Sequence, residues 1–248
     1  MTIAIMSAMH EENASLVAAM NIHDEQQLGA RTYYRGTLCG RDVVVVFSHW
    51  GKVAAAITAT TLICRYDVSE IVFTGVAGAL DPSLRIGDIV VGGQLYQHDM
   101  DARPIIARHE IPLLGRAAIG TSPAQQQQLV MAAGTFLQED FNDKVGADSA
   151  AAFGISVPRV VTADIASGDQ FVSDVSVAGD IRERLPGVTC VEMEGAAVAQ
   201  VCESFGVAFA LVRTISDGAN DASEMDFQAF IAQVARQYSL GIVQRYLA

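Results

Sequence analysis

Val43-Val44-Val45-Val46-Phe47 is an unbroken apolar run with no polar alternation, and runs of similar character recur along the chain. Such a run belongs in a strand covered on both faces, the pattern of a sheet sandwiched between helices. Strands are expected at Thr2–Ala8, Arg31–Leu38, Asp42–Ser48, Glu70–Thr74, Ile86–Tyr96, Arg159–Ala166, Thr189–Met193 and Val207–Ile215. Segments of helical period fall between them, at Glu11–Met20, Lys52–Tyr66, Gln125–Gln138, Val175–Leu185, Gly195–Phe205 and Asp226–Leu247. Residues 97–121 read as a long loop and 139–157 as a second irregular stretch. The alternation predicts one α/β domain over residues 1–248 with a mixed, mostly parallel core sheet.

Composition removes several classes of function. Apolar residues make up 51% and charged residues 18% of the 248, with mean hydropathy +0.29, which excludes a disordered chain. No apolar run approaches the roughly 20 residues of a membrane span. The start lacks the basic, then apolar, pattern of a secretion signal, so a cytoplasmic protein is expected. Net charge is −12, which repels phosphate backbones and anionic lipid, so neither nucleic acid nor membrane is an expected partner. Cys39, Cys64, Cys190 and Cys202 are widely spaced in apolar contexts and read as buried, reduced thiols rather than zinc ligands. His98-Asp99-Met100-Asp101 has no matching partners elsewhere, and no metal is expected.

In α/β folds ligands bind beyond the carboxyl ends of strands. There the first strand delivers Met9-His10-Glu11-Glu12, and later ones deliver Gly75-Val76-Ala77-Gly78, Ser167-Gly168-Asp169-Gln170-Phe171, Glu192-Met193-Glu194 and Arg213-Thr214-Ile215-Ser216-Asp217. Three carboxylates, Glu12, Glu194 and Asp217, thus converge from distant parts of the chain. Taken singly, each also fits a plainer role: Glu12 and Glu194 as helix-start charges, Asp217 as a cap or turn residue. Gly75–Gly78 lacks the Gly-Lys-Ser/Thr ending of a phosphate-binding loop.

The ordered set of motifs is more specific than any member. Ala8-Met9-x-Glu11-Glu12, Gly51-Lys52-Val53-Ala54-Ala55, Thr74-Gly75-x-Ala77-Gly78, Gly87-Asp88-Ile89-Val90-Val91, Ser167-Gly168-Asp169-x-Phe171, Val191-Glu192-Met193-Glu194 and Arg213-x-Ile215-Ser216-Asp217 occur in one order. Together they closely resemble the 5′-methylthioadenosine/S-adenosylhomocysteine nucleosidases of the nucleoside phosphorylase superfamily, over nearly the whole chain and least from 100 to 157. The resemblance implies a three-layer α/β/α sandwich, a homodimer, no cofactor, and hydrolysis of the N-glycosidic bond of an adenine nucleoside.

It also implies roles. Asp217, oriented by Ser216, matches the acid that protonates adenine N7, and Glu12 the base that takes a proton from the attacking water. Arg213 matches the residue beside Glu12 and the water. Glu194 matches the carboxylate that holds the ribose hydroxyls, with Glu192 a further sugar contact and Met193 beneath the sugar. Phe171 would stack on adenine and the Val172 backbone would read its edge, with Val76, Ala77 and Gly78 also among the binding positions. Met9, Trp50 and Phe227 match apolar walls around the 5′ substituent, and a loop near Ala102–Leu113 would complete the neighbouring subunit's pocket. Val76 stands where the family carries a serine beside the water, and Trp50 where it carries a smaller aliphatic residue. Arg103, Arg108 and His109 make the loop basic, which suggests a polar or acidic 5′ group. An aminofutalosine hydrolase, a phosphate-dependent phosphorylase, an AMP nucleosidase and a non-catalytic nucleoside-binding protein are the alternatives. Against phosphate stand Glu11 and Glu12, which would repel a dianion.

Overall fold

The computed structural model describes residues 1–219 and 223–248, with side chains from Phe227 onward in the second stretch. Strands β1 (Ile3–Ser7), β2 (Asn21–Leu28), β3 (Arg31–Leu38), β4 (Arg41–Phe47), β5 (Glu70–Ala79), β6 (Ile89–Gln97), β7 (Ala118–Gly120), β8 (Val160–Ser167), β9 (Val188–Glu192) and β10 (Ala208–Asp217) join in one mixed sheet. Helices pack on both of its sides.

The run 43–46 is wholly buried within β4, as its composition requires, and β1 beside it is buried along its full length. Pairing is parallel through β4–β1–β5–β10 and again through β6–β8–β9. Two antiparallel seams, β10–β6 and β5–β9, join these groups, so β5, β10, β6, β8 and β9 close on themselves. At the second seam Gly78 pairs with Val191, which sets the chain after β9 beside the end of β5.

Helices α1 (His10–Ala18), α2 (Lys52–Tyr66), α3 (Pro123–Thr135), α4 (Phe141–Val145), α5 (Ala147–Ala152), α6 (Val175–Arg184), α7 (Gly195–Phe205), α8 (Ser223–Phe230) and α9 (Arg236–Leu247) supply the outer layers. Single π-helical turns, Phe136–Asp140 and Ile231–Ala235, connect α3 to α4 and α8 to α9. One core cluster packs α1, α3 and α9 on one side of the sheet, and another packs α2 and α7 on the other. No helix among the described residues is long and apolar enough to cross a membrane.

Several expectations need correction. Asn21–Leu28 is a strand although it is polar and mostly exposed, because it pairs along the β3 edge. Residues 139–157 contain α4 and α5, and β7 lies inside the 97–121 loop. Gly75–Gly78 is not a loop after the strand but part of β5. Of the cysteines, Cys190 and Cys202 are buried, whereas Cys39 and Cys64 are exposed; all four are free.

Candidate active site

A cavity of about 300 Å³ opens at the β5–β9 seam, at the small end of the range for small-molecule sites. Its walls include Met9, Trp50, Val76, Ala77, Gly78, Phe171, Val172, Glu192, Met193, Glu194, Ser216, Asp217 and Phe227, drawn from seven separate parts of the chain. Ala8, Gln170 and Val191, which belong to the quoted motifs but were given no role of their own, also line it. Glu12 and Arg213 stand behind the wall, each wholly buried.

Asp217 owes its place to a bulge. Ile215 pairs with Ala77, but the next pair is Asp217 with Gly78, so Ser216 is the extra residue and Asp217 turns toward the cavity. Ser216 Oγ donates to Asp217 Oδ2 at 2.8 Å, and the Ala219 amide donates to Oδ1 at 2.8 Å. Both oxygens are therefore fixed before a ligand arrives.

Glu12 is the third residue of α1, and its Oε2 accepts from the Met9 amide at 3.1 Å. This is the carboxylate half of a helix cap, so the plain reading of Glu12 holds locally. It does not explain why the residue is fully buried. Burial pushes Glu12 up to about 7, against the opposing pull of the Ser239 hydroxyl and the Arg213 guanidinium. A carboxylate that served only to cap a solvent-facing helix start would not be buried in this way.

Arg213 lies mid-strand on β10 opposite Gly75, with its guanidinium carbon 4.3 Å from the centre of the Phe73 ring. Its Nη2 meets Glu192 Oε2 at 2.6 Å and lies 3.8 Å from Glu194 Oε2. A methyl at Gly75 would fall 2.8 Å from Ala8 Cβ and 2.9 Å from Arg213 Nη1. Gly75→Ala is therefore expected to displace the guanidinium and to destabilise the fold by about 1–3 kcal/mol, read by urea unfolding.

Glu192 accepts from Ser167 Oγ, from the Gly195 amide at 2.9 Å and from Arg213. Both oxygens are engaged by the protein itself, so its geometry is that of a brace for Arg213 and the start of α7. Glu194 is freer: its Oε1 accepts from the Gly51 amide at 2.9 Å, and burial followed by the nearby Glu192 charge raises its proton affinity. Against four buried carboxyls, Glu12, Glu192, Glu194 and Asp217, the site sets one buried guanidinium among the described residues.

The mouth is apolar. The Phe171 and Phe227 rings meet edge to face at 5.5 Å, and Trp50 Nε1 donates to the Ala8 carbonyl at 2.9 Å while 64% of the residue stays exposed. The stretch His98–Asp101 serves as a brace. Asp99 accepts from Lys52 Nζ at 2.6 Å and from the Asp169 amide at 2.9 Å, while Asp169 accepts from the Lys52 amide at 2.7 Å. This ties the Trp50 turn to the Phe171 loop. Among the described residues no group of three or more His, Cys, Asp or Glu side chains is arranged to hold a metal ion. Arg103 and Arg108 both lean on Asp101, at 2.6 and 3.5 Å, and the His109 ring is buried against the Gln97 carbonyl. The basic residues of the loop are thus engaged within the loop and its base.

The phosphorylase superfamily model matches residues 2–248. The chain belongs to that superfamily. As a superfamily member it is 36% identical over 243 residues to the 5′-methylthioadenosine/S-adenosylhomocysteine nucleosidase of Shewanella oneidensis, covering 98% of this chain and 95% of the relative. The Neisseria meningitidis nucleosidase of the same name, solved with methylthio-immucillin-A, superposes with a TM-score of 0.86 at 29% identity, over 99% of this chain and 97% of that one. Futalosine hydrolase of Helicobacter pylori superposes with a TM-score of 0.82 at 30% identity, over 99% and 96%. The fold is therefore shared with solved structures of both names.

Proposed function

We propose that this superfamily member is a 5′-methylthioadenosine/S-adenosylhomocysteine nucleosidase that hydrolyses the N-glycosidic bond to give adenine and the 5-substituted ribose. The observation that carries the reading is the carboxyl-rich character of the site: Glu192, Glu194 and Asp217 line the cavity with Glu12 behind them, and the one buried guanidinium among the described residues is already paired with Glu192. Such a site favours a cationic sugar and disfavours an incoming phosphate dianion, so water is the nucleophile.

In this reading the adenine lies between Phe171 and the Ala77–Gly78 edge, with the Val172 backbone at its rim, and Asp217 gives its proton to N7. Departure of neutral adenine leaves positive charge on the ribose ring. Glu194 holds the ribose hydroxyls and its negative field supports that charge, with Met193 below the ring. Glu12 accepts a proton from the attacking water as the new C–O bond forms, and Arg213 steadies Glu12 and Glu194. Val76 offers no hydroxyl to that water, which leaves its orientation to Glu12 and Arg213.

The 5′ substituent lies toward Met9, Trp50 and Phe227, whose apolar surfaces suit a thioether. An acidic 5′ group would want a free cation there, and Arg103 and Arg108 are held by Asp101. Methylthioadenosine should accordingly be cleaved with a higher kcat/KM than aminofutalosine. Exposed Trp50, Val53, Ile57, Ile105 and Leu113 support a homodimer in which the 102–113 loop covers the neighbouring pocket. The cytoplasm is the proposed compartment.

Purified protein is expected to release adenine from 5′-methylthioadenosine at the same rate with and without added phosphate. Release that requires phosphate would make the protein a phosphorylase and remove Glu12 from the role of base. Binding without release in either buffer would make it a nucleoside-binding protein.

A further inference from the structure

Behind Glu12 lies a polar contact that the cavity does not include. Glu12 Oε1 accepts from Ser239 Oγ at 2.7 Å, and Ser239 Oγ lies 2.7 Å from Thr74 Oγ1. Ser239 belongs to α9 and Thr74 to β5, so three elements meet at three polar side chains. All are buried, with Glu12 at 0%, Ser239 at 1% and Thr74 at 2% exposure. Elsewhere α9 buries tyrosine, isoleucine, valine and leucine into the core, which makes a buried serine aimed at a carboxylate a specific feature.

The donor pattern follows from counting protons. A carboxylate only accepts, so Ser239 commits its single hydroxyl hydrogen to Glu12. The contact with Thr74 must then have Thr74 as donor and Ser239 as acceptor. Thr74 in this way both polarises the serine hydroxyl and keeps its hydrogen turned toward the carboxylate.

We propose that Ser239, held by Thr74, is a positioning residue for Glu12: it fixes the carboxylate's orientation and favours its ionised form in a site that would otherwise neutralise it. The inference rests on the reading of Glu12 as the base. An isolated buried carboxyl keeps its proton well above neutrality and is then useless as a base. The charged groups acting on Glu12 are Arg213 from β10, which favours ionisation, and Glu11 from its own helix, which opposes it. Among the elements packed against α1, β1 and the Ile231–Ala235 turn contain no ionisable side chain. On α9, Arg245 is engaged by Asp140, and on β4 Arg41 and Asp42 are exposed at the end where the strand begins. Arg213 is shared with Glu192 and Glu194, so among the described residues the serine supplies the side-chain donor dedicated to Glu12, on the oxygen that the Met9 amide leaves open.

The test is the pH profile of kcat/KM for Ser239→Ala and Thr74→Val on 5′-methylthioadenosine. Ser239→Ala should move the acidic limb upward by about one pH unit or more, the equivalent of one hydrogen bond to a charged group. At pH 6 kcat/KM should fall about tenfold or more, and at pH 9 most of it should return, with KM unchanged because Ser239 does not line the cavity. Thr74→Val should shift the limb the same way by less. A Ser239→Ala protein that is folded and merely less active at every pH, with its limb where the wild type has it, would overturn the proposal and leave a packing role. If instead Glu12→Gln keeps wild-type activity, the reading of Glu12 fails first. A dead Glu12→Gln beside an unmoved Ser239→Ala limb separates the two.

Discussion

Asp217→Asn is expected to lower the rate of adenine release by about 10³-fold or more while leaving nucleoside binding nearly intact. The reasoning begins with the leaving group. Adenine expelled as an anion is a poor leaving group, and a proton at N7 turns it into a neutral molecule. The asparagine keeps the shape of the side chain and the contacts that hold it. Its oxygen still accepts from the Ala219 amide, and Ser216 can rotate its hydroxyl to accept from the new amide nitrogen, since both partners lie at 2.8 Å. The amide can donate a hydrogen bond to N7 but cannot release a proton there. Ground-state binding therefore persists and the transition state loses its acid, which places the loss in kcat rather than KM. Calorimetric titration with a non-hydrolysable adenosine analogue, beside single-turnover adenine release, measures both terms. Turnover within tenfold of wild type would remove Asp217 from the mechanism.

The position of Asp217 at the cavity was legible in the sequence for a reason that does not extend to the rest of the site. Arg213-x-Ile215-Ser216-Asp217 sits at the end of an apolar strand, and local pattern alone places its last residue at the strand mouth. The bulge that turns Asp217 inward is set by pairing with β5, which no residue in β10 announces. The same limit explains β2, whose sequence Asn21–Leu28 has no apolar face; a neighbouring strand makes it a strand, and propensity would not. Gly75–Gly78 resembles a turn because glycines usually mark one. Here Gly75 is in a strand because the Arg213 guanidinium needs the space its missing Cβ leaves.

Long-range polar contacts were the least legible. Ring closure through β10–β6 and β5–β9 joins strands far apart in the chain, and sequence period carries no information about partners. Ser239 is 227 positions from Glu12, and nothing in its helix except a lone hydroxyl among apolar neighbours marks it. Glu192 is a divided case. Its motif points to substrate and it lines the cavity, while its bonds to Ser167, Gly195 and Arg213, which brace other residues, are announced by no local pattern.

Glu12→Gln should abolish activity and stabilise the protein. Losing the base is expected to reduce kcat by about 10²–10⁴-fold, because the amide cannot take a proton from water. The stability effect follows from linkage. Burial raises Glu12 from 4.5 to about 7 in the folded protein, whereas in the unfolded chain it titrates near its ordinary value. Below pH 4.5 both states hold the proton and the residue costs nothing. As pH rises toward 7 the unfolded state releases the proton while the folded state retains it, so stability falls across that window; above 7 the folded state too is ionised and the full penalty remains. A span of that width corresponds to roughly 3 kcal/mol, at about 1.4 kcal/mol per pH unit. A neutral glutamine of the same shape carries no such penalty. Its oxygen can accept from the Met9 amide while its nitrogen donates to Ser239, whose hydroxyl then turns away. Urea unfolding should thus find the variant close to wild type near pH 5 and more stable by about 2–3 kcal/mol near pH 8. Equal stability at both values would mean that Glu12 is not held against its burial, and the site would lack the poised base that hydrolysis requires. A stabilised, inactive variant would tie the two effects together: under the proposed mechanism the carboxylate is kept in an unfavourable place because the attacking water has to be reached from there.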